Sequence, residues 1–188
     1  MMVERYKKAL GPMLDHYEPK AIYHSELATF CEEVFVHSCD TIIESGTFMG
    51  YTAIRLAKVF PEKKIITVEI DKGRYKEAFK RCASYDNIIC HCGQLKDFMY
   101  MMNKNCAVLI DGPKGKQAIK LARKCRKKAS MVAIHDMRDF IEDLDGKFDH
   151  YVHTGYPNER YRSLDKAVPY KESHHQKGLY GKVLAIIP

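Results

Sequence analysis

No stretch of this sequence approaches the ~20 consecutive apolar residues that a spanning helix needs, which argues against a membrane-embedded protein. The first twelve residues, Met1 to Pro12, carry too much charge for the core of a signal peptide, so the expected location is cytoplasmic, with no membrane partner. The seven cysteines contain no CxxC pair, are odd in number and mostly sit inside apolar segments. They are not a disulfide framework, and a reducing compartment suits them. Cys90-His91-Cys92 looks like a metal fragment but has no second ligand pair at zinc spacing, and reads as a strand end in the core. There is no internal repeat, Gly/Ser linker, Pro-rich stretch or low-complexity tract, so 1–188 is expected to form a single domain.

What is present is ordinary for a folded domain: 46% hydrophobic and 29% charged residues leave wholesale disorder without support. The formal charge of +7 permits RNA, membrane surfaces or anionic small molecules without choosing among them.

Short β-branched runs recur at Thr41–Glu44, Lys64–Glu69, Asn87–Cys90, Ala107–Asp111 and Met131–His135. Between them lie segments with helical spacing: Tyr51 to Phe60, Tyr75 to Cys82, and Phe98 to Met102. Near-continuous apolar strands joined through helices predict a doubly wound α/β sandwich, because a parallel strand covered on both faces has no polar side. Phe148 to Thr154 and Leu179 to Ile187 read as two further strands pairing antiparallel at an edge. Val3 to His16 and Ile22 to Val36 read as helices, so that residues 1–38 would cover the sheet or the site.

The most informative segment runs from Ile43 to Ala53: a strand ending in Glu44 passes through Gly46, Thr47, Phe48 and Gly50 into a helix that begins near Tyr51 and Thr52. Glycines at such a turn allow positive φ and close ligand approach, and the helix offers free N–H groups. Phe48 occupies the position where a dinucleotide fingerprint needs its second glycine, which disfavours a nicotinamide cofactor. Glu69 closes the next strand, where a carboxylate can accept both hydroxyl hydrogens of a ribose. Together these features indicate an adenosine ligand.

With these residues in view, the sequence resembles the class I S-adenosylmethionine-dependent methyltransferases, and more narrowly the small catechol O-methyltransferase-like group. Glu44 to Ala57, with Gly50-Tyr51-Thr52-Ala53-Ile54-Arg55, is similar to that group's cofactor loop, and Val68-Glu69-Ile70-Asp71 to its ribose-binding strand end. Gly93 with Gln94 to Asp97 resembles the turn that sets the adenine, and Leu109 to Lys114 the fourth strand end. The resemblance spans about residues 41 to 136. It implies a Rossmann-like seven-stranded, mostly parallel sheet with an antiparallel C-terminal hairpin and helices on both faces. It also implies a cofactor set of Glu44, Gly46, Thr47, Phe48, Gly50, Tyr51, Thr52, Glu69, Ile70, Gly93, Gln94 and Asp111.

The resemblance further implies that Asp111 is a metal ligand and that Lys114 is the base removing a hydroxyl proton. Methyl transfer from a sulfonium needs an electron-rich acceptor, which a metal, a base or both can provide. Asp136 at the next strand end would stand beside Asp111 as a second oxygen ligand for Mg²⁺ or Mn²⁺. The resembled group follows this Asp with an Asn ligand, whereas here the neighbour is Met137; His135 is the substitute on the other side. Three readings of His135 and Asp136 stand at this point: metal ligands, a base with its orienting carboxylate, or a strand end without chemistry.

The segment from Lys114 to Lys128 holds eight basic residues and no acidic one, which keeps RNA as an alternative partner. Residues 155–178, with Tyr156, Arg160, Tyr161, Arg162 and Tyr170, form a candidate substrate loop. The expected function is methyl transfer from S-adenosylmethionine to an oxygen of a small molecule, with a divalent metal as candidate helper. An RNA or protein methyltransferase and a non-catalytic S-adenosylmethionine-binding module are the alternatives, and a homodimer is admitted.

Overall fold

The computed structural model describes residues 2–16, 18, 21–137, 140, 142–145, 151–154, 161, 163–165 and 183–187. Helices α1 (Met2–Leu10) and α2 (His24–Val36) lead into an alternating series: β1 (Thr41–Ser45), α3 (Tyr51–Val59), β2 (Lys64–Glu69), α4 (Lys72–Cys82), β3 (Ile88–Cys92), β4 (Cys106–Ile110), α5 (Gly115–Cys125) and β5 (Met131–Ile134). Strands β6 (Tyr151–Thr154) and β7 (Val183–Ile187) follow. They join one sheet in the order β3-β2-β1-β4-β5-β7-β6. The first five are mutually parallel, and β7 runs antiparallel to both β5 and β6. This is the mostly parallel sheet with an antiparallel C-terminal pair that the sequence implies.

Both faces of the central strands are apolar, and the period of two sorts them. Ile42, Leu109, Ala133 and Ile186 point toward α1, α2 and α3, in one core that also takes in Tyr6, Phe30 and Phe60. Ile43, Val108, Val132 and Ala185 point the other way, into a second core with α5 residues Ile119 and Ala122. The helix after β1 therefore lies on one face and the helix after β4 on the other. Right-handed crossovers allow this only if strand order runs outward in both directions from the β1/β4 pair.

Three sequence expectations are corrected. The first helix ends at Leu10 instead of His16, because Gly11 takes φ +44° and Pro12 has no N–H to give; a 3₁₀ turn, Gly11–Asp15, replaces the rest. The spacing at Phe98 to Met102 belongs to a 3₁₀ helix, Leu95–Met101. Strand β3 is an edge with Ile89 and Cys92 exposed, so Cys90-His91-Cys92 lies at the sheet margin and not in its core. His91 stacks on Phe98 with ring centroids 4.7 Å apart. Among the described residues no helix is long and apolar enough to cross a membrane.

Gly50 precedes α3 with φ +82°, and a Cβ there would lie 3.0 Å from Cys82 Sγ on α4. Its freedom serves helix packing. Gly50→Ala should cost about 1–3 kcal/mol, the usual penalty for a side chain in left-handed backbone, read by urea unfolding. A change below about 0.5 kcal/mol would remove the steric argument.

Candidate active site

The loops that follow β1 and β4 touch each other at the point where strand order reverses. Ser45 O accepts from both Asp111 N and Gly112 N at 2.8 Å, and Gly46 N donates to Val68 O at 2.9 Å. Gly46 has φ +94°, and a Cβ on it would sit 2.7 Å from Gly112 N, so only glycine fits. Above this floor, at the carboxyl ends of β1 to β5, opens a cleft of about 820 Å³.

One wall is built around Glu69. Its carboxylate, 4% exposed, accepts from Phe48 N at 2.7 Å and Asp71 N at 2.9 Å, one bond to each oxygen. Two backbone donors thus aim it into the cleft while each oxygen keeps a lone pair for a ligand. Phe48 is held at φ +52°, an unusual conformation for an aromatic residue, with the Arg74 guanidinium 5.2 Å from its ring centroid. Ile70 is 64% exposed on the same wall, an apolar surface open to whatever fills the cleft. Gly93 turns the chain after β3, where a Cβ would meet the Phe98 ring at 2.9 Å, and Gln94 follows it into the lining.

Of the residues in the expected cofactor set, Gly46, Phe48, Glu69, Ile70, Gly93, Gln94 and Asp111 line this cleft. Glu44, Thr47, Gly50, Tyr51 and Thr52 do not line it. Glu44 sits wholly buried behind the loop, with Oε2 accepting from Thr67 Oγ1 at 2.6 Å and Oε1 without a partner. Thr47 bonds the same Thr67 hydroxyl, Tyr51 lies under Arg81, and Thr52 is buried on α3. These five build the loop and support it from behind. The reason is the strand period: Glu44 falls on the α3 side of the sheet, not at its open end.

The other wall carries the ionic groups. Asp111 Oδ1 lies 2.6 Å from His135 Nδ1 and in direct contact with Lys114 Nζ, which also reaches Asp136 Oδ2 at 2.7 Å. His135 Nε2 faces Glu26 Oε2 at 3.3 Å. Burial would neutralise His135, but the carboxylates of Glu26 and Asp111 prevail and push it up to about 10. Burial would raise Asp111 as well; the His135 and Lys114 cations instead hold it well below the usual carboxylate range. Burial works against the Lys114 charge too, and Asp111 and Asp136 keep that ammonium above the ordinary lysine value.

Glu26 was not legible as a site residue. It enters from α2, whose first turn is anchored by Ser25 N donating to Asp165 Oδ1 at 3.0 Å. A carboxylate among Leu27, Ala28 and Phe30 was the available signal. Of the candidate substrate loop, Tyr161 and 163–165 are described: Tyr161 is buried in the α2-side core and donates to Glu32, away from the cleft. The remainder, including Tyr156, Arg160, Arg162, Tyr170, His174 and His175, lies outside the described residues.

Burial, eased by the Thr67 hydrogen bond and reinforced by Asp111, raises Glu44 from 4.5 to about 8. A folded-state value above the unfolded one means that the associated stability is complete below about pH 4.5 and is lost as pH rises through 8. Glu44→Gln should abolish that loss, so the variant gains on wild type by on the order of 5 kcal/mol between the two limits. Parallel stability profiles in urea across this range would refute the buried-acid assignment.

No protein-family model matches the chain, and neither does any curated protein sequence. Solved structures do match. The O-methyltransferase TomG from Streptomyces achromogenes, in complex with S-adenosylmethionine, superposes with a TM-score of 0.62 at 17% identity, covering 98% of this chain and 89% of that one. A putative caffeoyl-CoA O-methyltransferase from Staphylococcus aureus gives 0.57 at 15% identity, with coverage of 96% and 91%. Aeropyrum pernix fibrillarin, with natively bound S-adenosyl-L-methionine, gives 0.52 at 15%, with 79% and 66%. What this chain shares with them at such identities is the fold.

Proposed function

We propose that this protein is an enzyme that transfers a methyl group from S-adenosylmethionine to an oxygen of a small molecule in the cleft at the carboxyl edge of the sheet. The observation that carries the reading is Glu69: a buried strand-end carboxylate, fixed by two backbone N–H groups, in a cleft whose floor admits no side chain at Gly46. A ribose matches that pair of oxygens, and exposed Ile70 offers an apolar face for an adenine that Gln94 borders. Gly46 and Asp111 would flank the amino-acid part. Bound there, S-adenosylmethionine would supply an electrophilic methyl on a sulfonium.

Lys114 and Asp136 stand where an acceptor hydroxyl would meet the cleft. Held charged between two carboxylates, Lys114 acts in this reading as a hydrogen-bond donor and positive charge beside the acceptor oxygen. This differs from the proton-removing role that the resemblance implies. Asp136, with its half-buried side chain, is the carboxylate that receives the hydroxyl proton. Each partner's work balances: the oxygen gains a carbon as the sulfur loses one, and the proton stays on the protein until solvent takes it.

Glu69→Ala should weaken S-adenosylhomocysteine binding roughly 10- to 100-fold, the cost of losing hydrogen bonds to a charged acceptor, measured by calorimetry. Unchanged affinity would sink the ribose assignment and with it the cofactor class.

A second reading has its own observation. Lys116, Lys120, Arg123 and Lys124 share the solvent face of α5, exposed Lys127 follows just after its end, and Lys120 and Lys124 also line the cleft beside Lys96. An RNA acceptor would use this stripe. Lys120→Glu with Lys124→Glu should then lower affinity for single-stranded RNA and flatten its salt dependence by about one unit of slope per lost phosphate contact. RNA binding that neither salt nor these changes affect would leave the small-molecule reading alone.

A further inference from the structure

Asp111, His135 and Asp136 bring one donor atom each within 4.8 Å of one another, a spacing at which a divalent cation could be gripped. Their present partners tell against it. Asp111 Oδ1 is already engaged by His135 Nδ1 at 2.6 Å as well as by Lys114, so an ion bound there would have to displace both. The space between the Asp111 and Asp136 carboxylates is already taken by a cation, the ammonium of Lys114. Met137, next along the chain, is fully buried and has only a thioether, a donor that hard cations ignore.

The competition is unequal. Lys114 is three residues from Asp111 in the same loop, so its ammonium is present at a high effective concentration. Mg²⁺ would have to shed tightly held water and expel that ammonium, and it would find at most two carboxylates.

We propose that Lys114 is the resident cation of this site: its ammonium bridges Asp111 and Asp136 where a divalent ion would otherwise sit. The site thus carries its own positive charge where Mg²⁺ or Mn²⁺ would sit. The role of Lys114 toward the acceptor rests on the methyl-transfer reading above. The refusal of metal does not, and is measured on the protein alone.

The test is a titration of the full chain with Mn²⁺ at neutral pH, followed by the electron paramagnetic resonance signal of the free ion. Wild type should leave the ion free. Lys114→Met should take up one Mn²⁺ per chain at least about ten-fold more tightly, because two carboxylates then face each other without a cation, and adding Asp136→Asn should remove that gain. Stoichiometric uptake by wild type that Asp136→Asn abolishes would overturn the proposal, as would a Lys114→Met chain that binds no better than wild type. Circular dichroism checks the fold of each variant; if Lys114→Met does not fold, Lys114→Gln takes its place, and the wild-type titration decides by itself whether metal is refused. S-adenosylhomocysteine added to the same samples separates the two readings: failure to bind it would remove the methyl-transfer function and leave the metal result standing.

Discussion

The contact between the loops after β1 and β4 is the constraint on which the cleft depends. Two parallel neighbours whose helices leave toward opposite faces must either part at their carboxyl ends or meet there, and here they meet through backbone hydrogen bonds joined by the Ser45 hydroxyl donating to Gly112 O. Ser45 O takes both N–H groups of Asp111 and Gly112, and Gly46 has no room for a Cβ against Gly112 N. Each bond is worth only about 1 kcal/mol net. Their consequence is positional: Asp111 is fixed over the sheet edge, and the Gly46 N–H bond to Val68 O carries the same alignment to β2, where Glu69 ends the strand.

From that edge three buried carboxylates diverge in behaviour, and neighbours decide each case. Glu44 has one hydroxyl donor and one orphan oxygen, so burial prevails and it holds its proton toward pH 8. Asp111 meets His135 and Lys114 at contact distance, and their attraction outweighs its burial. Glu69 meets neither; two backbone N–H groups hold it, which leaves its charge available to a ligand. The same functional group, the carboxylate, therefore supplies a structural acid, a partner for cations and a recognition group within one sheet edge.

The period-two and period-3.6 patterns made the architecture legible, because strands apolar on both faces and joined by amphipathic segments have few ways to be buried. Edges were harder to read. Ile89 looks like core by composition, and it is exposed because β3 is the last strand of the sheet on that side among the described residues. At the site, residues that follow a strand end directly were readable: Gly46, Glu69, Gly93, Asp111 and Asp136 all lie in the cleft lining. Glu44, Gly50, Tyr51 and Thr52 belong to the same motif but serve it from behind, and spacing alone does not say which side of a turn a side chain takes. Glu26 was out of reach for another reason. It lies 109 residues from His135, and no local pattern encodes a contact made by packing α2 across the sheet.

The ionic wall also has a charge balance that suits the proposed chemistry. Counted formally, the Glu26, Asp111 and Asp136 carboxylates exceed the Lys114 and His135 cations by one negative charge. A sulfonium in the cleft would offset that excess, which favours holding the charged cofactor over its neutral thioether product. In the proposed reaction a proton passed to Asp136 would neutralise the wall as the sulfonium lost its charge, so the net charge of wall and sulfur together would stay unchanged. A divalent ion in place of the ammonium would add a further positive charge and undo the balance: the wall would start neutral and finish positive. A lysine held between two aspartates, with a histidine tethered behind them by Glu26, is thus a self-consistent arrangement for moving a methyl group from a cation to a neutral hydroxyl.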